Sequence, residues 1–149
     1  EQVLLEGDEF ISASVVRFSD TWWMFVGMQG NETLSLFQAQ ELRGVWVEHP
    51  LIPIVEGNKD SARPGGRPLV IDGSLYRLGQ DCYPTYGRAV SAFQVTGLSD
   101  TAYEEVLIDP PLVEATSTGW SAEGMHHVDA LSVDESAWIA VVDGVQTVQ

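Results

Sequence analysis

The sequence has few positive charges. It contains seven Lys and Arg residues against 22 Asp and Glu residues, a formal net charge of −15, and Lys59 is its single lysine. A surface of this sign repels the phosphate backbone of nucleic acids and the head groups of anionic membranes, so neither is expected as a partner. The composition favours high solubility, and an acidic groove for a cationic ligand is the alternative explanation.

Cysteine and long apolar runs are also scarce. Cys82 is the single cysteine, which excludes an internal disulfide, and we expect a small buried residue there rather than a nucleophile. No apolar run approaches the roughly 18 residues that a membrane-spanning helix needs, and no signal-peptide pattern opens the chain. We therefore expect no membrane insertion and, by default, a cytoplasmic location.

Long amphipathic helical patterns are missing as well, and short apolar runs separated by turns take their place. The clearest example is a hairpin, in which Asp72-Gly73 lies between apolar runs at residues 68–71 and 75–79. Asp-Gly is a strong hairpin signal because both central residues of a type I′ turn need positive φ. The polar and aromatic stretch at residues 80–87 is predicted to be a loop, the usual place for ligand contacts on a β scaffold.

This hairpin recurs along the chain. An aromatic residue stands a few positions after a turn at Trp23, Tyr76 and Trp138, at spacings of 53 and 62 residues. Two further strands follow in each of the first two repeats, at residues 35–38, 45–48, 90–95 and 103–108. Four antiparallel strands in a repeat of roughly 40–60 residues are typical of a β-propeller blade. A plain β-sandwich would explain the strands but not the repeated aromatic residue.

The sequence therefore predicts an all-β fold of three four-stranded antiparallel propeller-type blades. They form one partial β-propeller domain over residues 1–149, with blades at about 11–55, 64–113 and 124–149. The last repeat has strands at 126–131, 137–142 and 145–148 but no fourth strand. A strand at residues 2–5 is expected to complete the last blade of the same chain or of a partner chain.

Three blades are too few to close a ring around a common axis. Two copies would supply six, so a homodimer with C2 symmetry is expected to form a six-bladed ring. The alternative is that this chain is a piece of a longer propeller.

Two runs carry a resemblance to a known family, ARPGGRPLVIDGSLYRLGQDCYPTYGRAVSAFQVTGLSDTAYEEV and GWSAEGMHHVDALSVDESAWIAVVDG. They resemble the β-propeller domain at the N-terminus of plant glucosamine inositolphosphorylceramide transferases and of related bacterial proteins. More distantly, the pattern is similar to five-bladed glycosidases of the family 43 type, in which a Gly-x-Trp-x-x-His-Pro run often ends a blade, here at residues 44–50. The resemblance aligns with the later blades only. It implies that transfer belongs to a separate domain in the plant enzymes.

Candidate ligand-binding residues lie where the blades would face the propeller axis. Arg63 enters the second blade, and its planar guanidinium could grip a carboxylate or sugar hydroxyls; a pair with Asp81 is the alternative. In the following loop, Asp81 could accept hydrogen bonds from sugar hydroxyls, and the rings of Tyr83 and Tyr86 could stack on a sugar. The alternative is that both tyrosines brace the loop.

The third blade opens with His126 and His127. Alternation along a strand places them on opposite faces, which predicts one histidine in the central pocket and the other between blades. No metal site is expected, because one strand cannot supply a closed set of zinc ligands. Glu123 and Asp81 are the weak candidates for a glycosidase pair of carboxylates, which would need a separation of about 5–10 Å.

The remaining large aromatic residues are expected to lie mostly in the core rather than on a sugar-stacking surface: Trp22, Trp23, Trp46, Tyr76, Phe93, Trp120 and Trp138. Together these observations predict non-catalytic recognition of a carbohydrate or similar polyol, without a cofactor. The alternatives are a glycosidase-like enzyme or glycosyltransferase accessory domain, and an oligomeric assembly module without a small ligand.

Overall fold

A computed structural model describes residues 3–7, 9–135 and 137–146, and its strands fall into three antiparallel sheets that follow one another along the chain. The strands are β1 (Phe10–Phe18), β2 (Thr21–Met28), β3 (Leu34–Ala39), β4 (Val47–Glu48), β5 (Arg63–Pro64), β6 (Leu69–Ile71), β7 (Ser74–Asp81), β8 (Ala89–Leu98), β9 (Tyr103–Glu114), β10 (Val128–Ser132) and β11 (Trp138–Val142). In the described residues the only helical segment is the 3-10 turn Gly119–Ser121, and no helix is long or apolar enough to cross a membrane. The all-β prediction is confirmed.

The first sheet has the order β1-β2-β3-β4. Its first hairpin turns at Ser19 and Asp20, which both have positive φ (49° and 62°), as a type I′ turn requires. Residues of β2 alternate between two apolar clusters, with Trp23 and Phe25 in one and Met24 and Val26 in the other. Because both faces of β2 are covered, this strand reads as a continuous apolar run in the sequence.

The opening segment packs on the first sheet and does not extend the last one. Residues 3–5 form no strand, which corrects the expectation for residues 2–5, and Gln2 lies outside the described residues. Leu4 and Leu5 pack against the cluster that contains Met24 and Val26. The physical reason is burial: two leucines cover an apolar face that would otherwise contact water.

The second sheet has the order β5-β7-β8-β9, with β6 paired to the first half of β7. Asp72 and Gly73 form the predicted turn with φ of 50° and 76°, so the hairpin is confirmed. β7 runs on to Asp81, where a loop was predicted from residue 80, because β8 continues to pair with it. β9 likewise extends beyond the strand predicted at residues 103–108 and runs through the prolines at 110 and 111. The register shifts at that point, and a shifted edge strand tolerates proline.

The third sheet contains β10 and β11 alone among the described residues. A single bridge between Gly124 and Val145 extends it, and residues 147 and 148 of the strand predicted at 145–148 lie outside the described residues. Trp138 is 45% exposed and Trp120 57% exposed, so the prediction that they are core residues is wrong. Trp138 borders an open recess beside residues 67–70 of the second sheet, whereas Trp23 is buried in the cluster that contains Phe25.

Apolar layers join the three sheets. One cluster combines Phe25 of the first sheet with Leu75 of the second, and another combines Leu78 of the second with Val128 of the third. The segment at residues 63–66 passes between all three. Its Gly66 carbonyl accepts a hydrogen bond from Ser14 Oγ at 2.8 Å, and its Gly65 carbonyl accepts one from the Val128 amide at 2.8 Å. This segment therefore positions the candidate site.

Candidate functional site

A cavity of about 230 Å³ lies where the three sheets meet. Its lining comes from the start of β1, from β5 and β7, from the loop after β7 and from the segment before β10: Ser12, Ala13, Ser14, Arg63, Pro64, Gly66, Gln80, Tyr86, His126 and His127. A slightly larger cavity of about 270 Å³ lies beside Leu4 and Leu5, but its walls are mainly apolar and contain none of the predicted site residues. The chemistry therefore points to the cavity between the sheets, which we name the central cavity.

Arg63 is the charged residue at the centre of this wall. It lies on β5, opposite Gln80 of β7. Its Nη1 donates a hydrogen bond to Asn31 Oδ1 at 2.7 Å, and its guanidinium carbon lies 5.1 Å from the centre of the Tyr86 ring. Its Nε is buried and has no acceptor among the described residues. The alternative pairing of Arg63 with Asp81 is not formed.

Arg63 differs from the other cations whose partners the structure defines. Each of those lies within 4 Å of a carboxylate, in the pairs Arg17–Asp20, Lys59–Glu32, Arg67–Asp129, Arg77–Glu105 and Arg88–Asp81. In the described residues no carboxylate forms an ion pair with Arg63, and none lines the central cavity. The cavity lining thus contains a guanidinium and no carboxylate, in a protein of net charge −15.

The loop after β7 reaches the cavity through Tyr86 alone. Asp81 is buried, and both of its oxygens are engaged: Oδ1 accepts the Tyr83 amide at 2.9 Å and Oδ2 pairs with Arg88 Nη2. Tyr83 is 62% exposed and does not line the cavity. Asp81 therefore shapes the loop, and Tyr86 is the member of the loop that contacts Arg63.

His126 and His127 both line the cavity. The expected alternation does not apply to them, because β10 begins only at Val128. Asp143 fixes this segment: its Oδ1 accepts the backbone amides of both histidines at 2.9 Å, and its Oδ2 lies against His126 Nδ1. The His126 ring also meets the edge of the Tyr86 ring, with 5.4 Å between ring centres. The structure thus brings together four of the predicted residues: Arg63, Tyr86, His126 and His127.

The two weak catalytic candidates lie elsewhere. Glu123 is exposed, its backbone amide donates to the Val145 carbonyl at 2.9 Å, and it does not line the cavity. Asp81 does not line it either. In the described part of the chain no group of three or more His, Cys, Asp or Glu residues is placed to hold a metal ion. Cys82 is buried, and burial raises the pKa of its thiol.

Sequence reasoning missed three polar residues at or beside the site: Asn31, Ser12 and Asp143. Asn31 holds Arg63 from a turn of the first sheet, and Ser12 lies at a bulge of β1 with φ of 49°. Bulges of this kind often re-aim side chains next to binding sites. The one feature of the sequence that marks Asp143 is its position directly after β11, within an Asp-Gly pair. The contacts of Asn31 and Asp143 join residues 32 and 17 positions apart, so no local sequence pattern predicts them.

Comparison with known proteins gives a consistent result. The family model described as "Glucosamine inositolphosphorylceramide transferase 1, N-terminal" matches residues 1–145. The chain is 35% identical over 153 residues to glucosamine inositolphosphorylceramide transferase 1 of Oryza sativa subsp. japonica, and 31% identical over 154 residues to that of Arabidopsis thaliana. Each alignment covers 97% of this chain and 20% of the relative, so the chain spans about a fifth of the length of these relatives. No solved structure matches.

These findings confirm the resemblance at the level of the family. They also correct the main functional expectation. The relatives are named as transferases, which contradicts non-catalytic carbohydrate recognition and favours the transferase-related alternative.

Proposed function

The chain belongs to the family of N-terminal domains of glucosamine inositolphosphorylceramide transferases, and from this membership we propose that it acts in glycosyl transfer as an accessory domain of a transferase. The observation that carries the proposal is the 35% identity to the rice transferase across 97% of this chain. The proposed reaction is the one in the relatives' name, in which glucosamine and inositolphosphorylceramide are the participants. The share of the relatives that lies outside the match leaves ample chain for a transfer domain.

The central cavity supports an accessory role over an independent hydrolytic one. A glycosidase places two carboxyl groups on either side of the bond it cleaves. The cavity wall has none, and both oxygens of Asp81 are already engaged by Arg88 and the Tyr83 amide. What the wall offers is a guanidinium, imidazoles and hydroxyls, which can hold a substrate group while another domain performs the transfer.

A chimeric enzyme tests this proposal. The matching segment of the rice transferase is replaced by this chain, and glucosamine transfer to inositolphosphorylceramide is measured by mass spectrometry of the lipid products. We expect the chimera to retain transfer, the same enzyme without the segment to lose it, and this chain alone to show none. Full activity of the enzyme without the segment would overturn the accessory role, and transfer by this chain alone would show that it is itself the enzyme.

We also propose that the three sheets are propeller-type blades, as in the five-bladed family 43-like arrangement. In support, the sheets follow one another in sequence, apolar layers join the first to the second and the second to the third, and the central cavity lies at their meeting point. A crystal structure of the chain tests this arrangement. We expect sheets radiating from an axis near Arg63, and two sheets stacked face to face as a sandwich would contradict it.

A second copy of the chain is proposed as the partner of the third sheet. Three large apolar side chains on one face of this sheet are between 58% and 70% exposed: Leu131, Ile139 and Val141. An apolar patch of this kind marks an interaction surface. Exchange of opening strands is not part of the proposal, because Leu4 and Leu5 pack on the first sheet. Light scattering is expected to give twice the chain mass for the wild type and the single mass for Ile139→Lys, and a monomeric wild type would contradict dimerisation.

A further inference from the structure

The central cavity is lined by hydrogen-bond donors that carry a positive charge or none, although the protein as a whole is acidic. Arg63 has no carboxylate partner among the described residues, and its single hydrogen bond to another side chain goes to the neutral Asn31. The His127 ring makes no hydrogen bond to the described residues and lies exposed at the cavity. When an arginine at a cavity wall has no anionic partner, its guanidinium is able to stabilise an anion that binds in the cavity.

We propose that the central cavity binds a phosphate group, with Arg63 as its anchor. The guanidinium remains charged at all ordinary pH values and presents several N–H donors in a planar fork that matches phosphate oxygens. Asn31 occupies Nη1 and Tyr86 lies 5.1 Å from the guanidinium carbon, so the side chain is held in place before a ligand arrives. A donor that is held in advance loses less conformational entropy on binding.

The arrangement of the donors favours a phosphate over a carboxylate. Arg63 reaches the cavity from the second sheet, His127 from the segment before β10, and Ser12 from the bulge in β1. A tetrahedral phosphate presents oxygens in several directions and can meet all three groups, whereas a carboxylate presents two oxygens in one plane. His126 is a positioning residue here, because Asp143 and the Tyr86 ring fix it.

The size of the cavity and the charge of the protein are both compatible with this ligand. At about 230 Å³ the cavity is smaller than the pockets of about 300–1,000 Å³ that hold drug-sized ligands, which suits a phosphate with a small esterified group. The net charge of −15 opposes anions at long range. At physiological ionic strength charges more than about 8 Å away are largely screened. Of the nearby groups, Arg63 lines the cavity, whereas the Asp143 carboxylate does not line it and is engaged by the amides of His126 and His127.

The inference rests on the geometry of the cavity, and the proposed function suggests two sources for the phosphate. One is the phosphoryl group that joins inositol to a lipid, and the other is the diphosphate of a nucleotide-activated sugar. Both present the same chemistry to Arg63. Separate probes distinguish them: myo-inositol 1-phosphate represents the first source, and uridine diphosphate the second.

Isothermal titration calorimetry on the full chain tests the site, with inorganic phosphate as the first probe. We expect Arg63→Ala to weaken phosphate binding about tenfold or more, which is the effect of losing one charge-assisted contact. Arg63→Lys should weaken it less, because the charge is kept and only the fork is lost. Arg17→Ala is the matched control, since Arg17 is exposed and pairs with Asp20 away from the cavity. Thermal melting followed by circular dichroism checks that each variant is folded.

Each result of the titrations either identifies the source of the phosphate or overturns the proposal. Tighter binding of myo-inositol 1-phosphate than of uridine diphosphate supports the lipid head group as the source, and the reverse supports the nucleotide sugar. No phosphate binding by the wild type, equal binding by folded Arg63→Ala, or tighter binding of acetate than of phosphate overturns the proposal. The transfer assay of the chimera is scored independently, so a chimera that transfers while the chain binds no phosphate would overturn this site and leave the accessory role intact.

Discussion

Arg77 and Glu105 form a buried two-pronged ion pair within the second sheet. Arg77 Nε donates to Glu105 Oε2 at 2.7 Å and Nη2 donates to Oε1 at 2.6 Å, with side chains 1% and 14% exposed. Arg77 Nη1 donates to the Ser61 carbonyl at 2.7 Å, and the Tyr103 hydroxyl donates to Glu105 Oε2 at 2.5 Å. The guanidinium also lies 4.3 Å from the centre of the Phe93 ring. The second sheet therefore contains a buried positive charge on Arg77, and the carboxylate of Glu105 neutralises it.

Removing one partner of the Arg77–Glu105 ion pair should destabilise the protein strongly. Arg77→Ala leaves the Glu105 carboxylate without its partner, and breaking a buried pair in this way costs about 3–5 kcal/mol of unfolding free energy. The measurement is urea denaturation followed by tryptophan fluorescence. Arg17→Ala, which breaks an exposed pair with Asp20, should change stability by less than about 1 kcal/mol.

The double variant Arg77→Met/Glu105→Leu refines the same test. It should be more stable than Arg77→Ala, because neither charge is then left buried. A loss of less than about 1 kcal/mol for Arg77→Ala would show that the pair contributes no more than a surface pair does.

Gly66 should not tolerate a side chain. A Cβ at this position would lie 1.9 Å from the Val128 carbonyl oxygen, where the second and third sheets meet. Gly66→Ala must push β10 away and should cost more than about 3 kcal/mol of unfolding free energy. Gly57→Ala is the control: φ there is +69° but nothing lies within 4 Å, so the cost should be about 1 kcal/mol. Equal losses for both variants would contradict the close approach of the sheets.

Alkaline pH should destabilise the protein through Tyr103. Burial is the largest cause that raises the pKa of its hydroxyl, well above the value of about 10 in an unfolded chain. Above pH 10 the unfolded chain therefore releases a proton that the folded protein retains. The stabilisation is fully present below that pH and falls by about 1.4 kcal/mol per pH unit above it. Urea titrations between pH 9 and pH 11.5 measure this slope.

Tyr103→Phe is the control for the alkaline experiment. It lacks the titrating hydroxyl, so its slope above pH 10 should be smaller by the same amount, whatever its stability at neutral pH. Identical slopes for the wild type and Tyr103→Phe would assign the alkaline loss to other groups.

Cys82 should react slowly in the folded protein. Burial is the main cause that raises the pKa of its thiol, so less of the reactive thiolate is present at a given pH. Reaction with a chromogenic disulfide reagent at pH 8 should be slow without denaturant and fast in urea. Because Cys82 is the single cysteine, the absorbance reports on it alone. Equal rates in both conditions would mean that the thiol is open to solvent.

The sequence by itself determined the local elements. The turns at Ser19-Asp20 and Asp72-Gly73 follow from residues that accept positive φ, and the strands beside them follow from short apolar runs bounded by those turns. The resemblance in residues 62–106 and 119–144 also identified the family, which matches residues 1–145. These features depend on neighbours within a few residues or on the identities of the residues themselves, so one sequence is enough to reveal them.

Only the tertiary structure decided the partners. Arg63 takes Asn31 and Asp81 takes Arg88, a choice that sequence reasoning left open between Arg63 and Asp81. It also decided which apolar faces are covered: Leu4 and Leu5 pack on the first sheet, while the face of the third sheet that carries Leu131, Ile139 and Val141 remains exposed.

The physical reason is the same in each case. Strand alternation fixes the face on which a side chain lies, but the relative placement of sheets fixes what that face meets. That placement depends on contacts such as the Val128 amide on the Gly65 carbonyl, which join residues 63 positions apart and leave no local signature in the sequence.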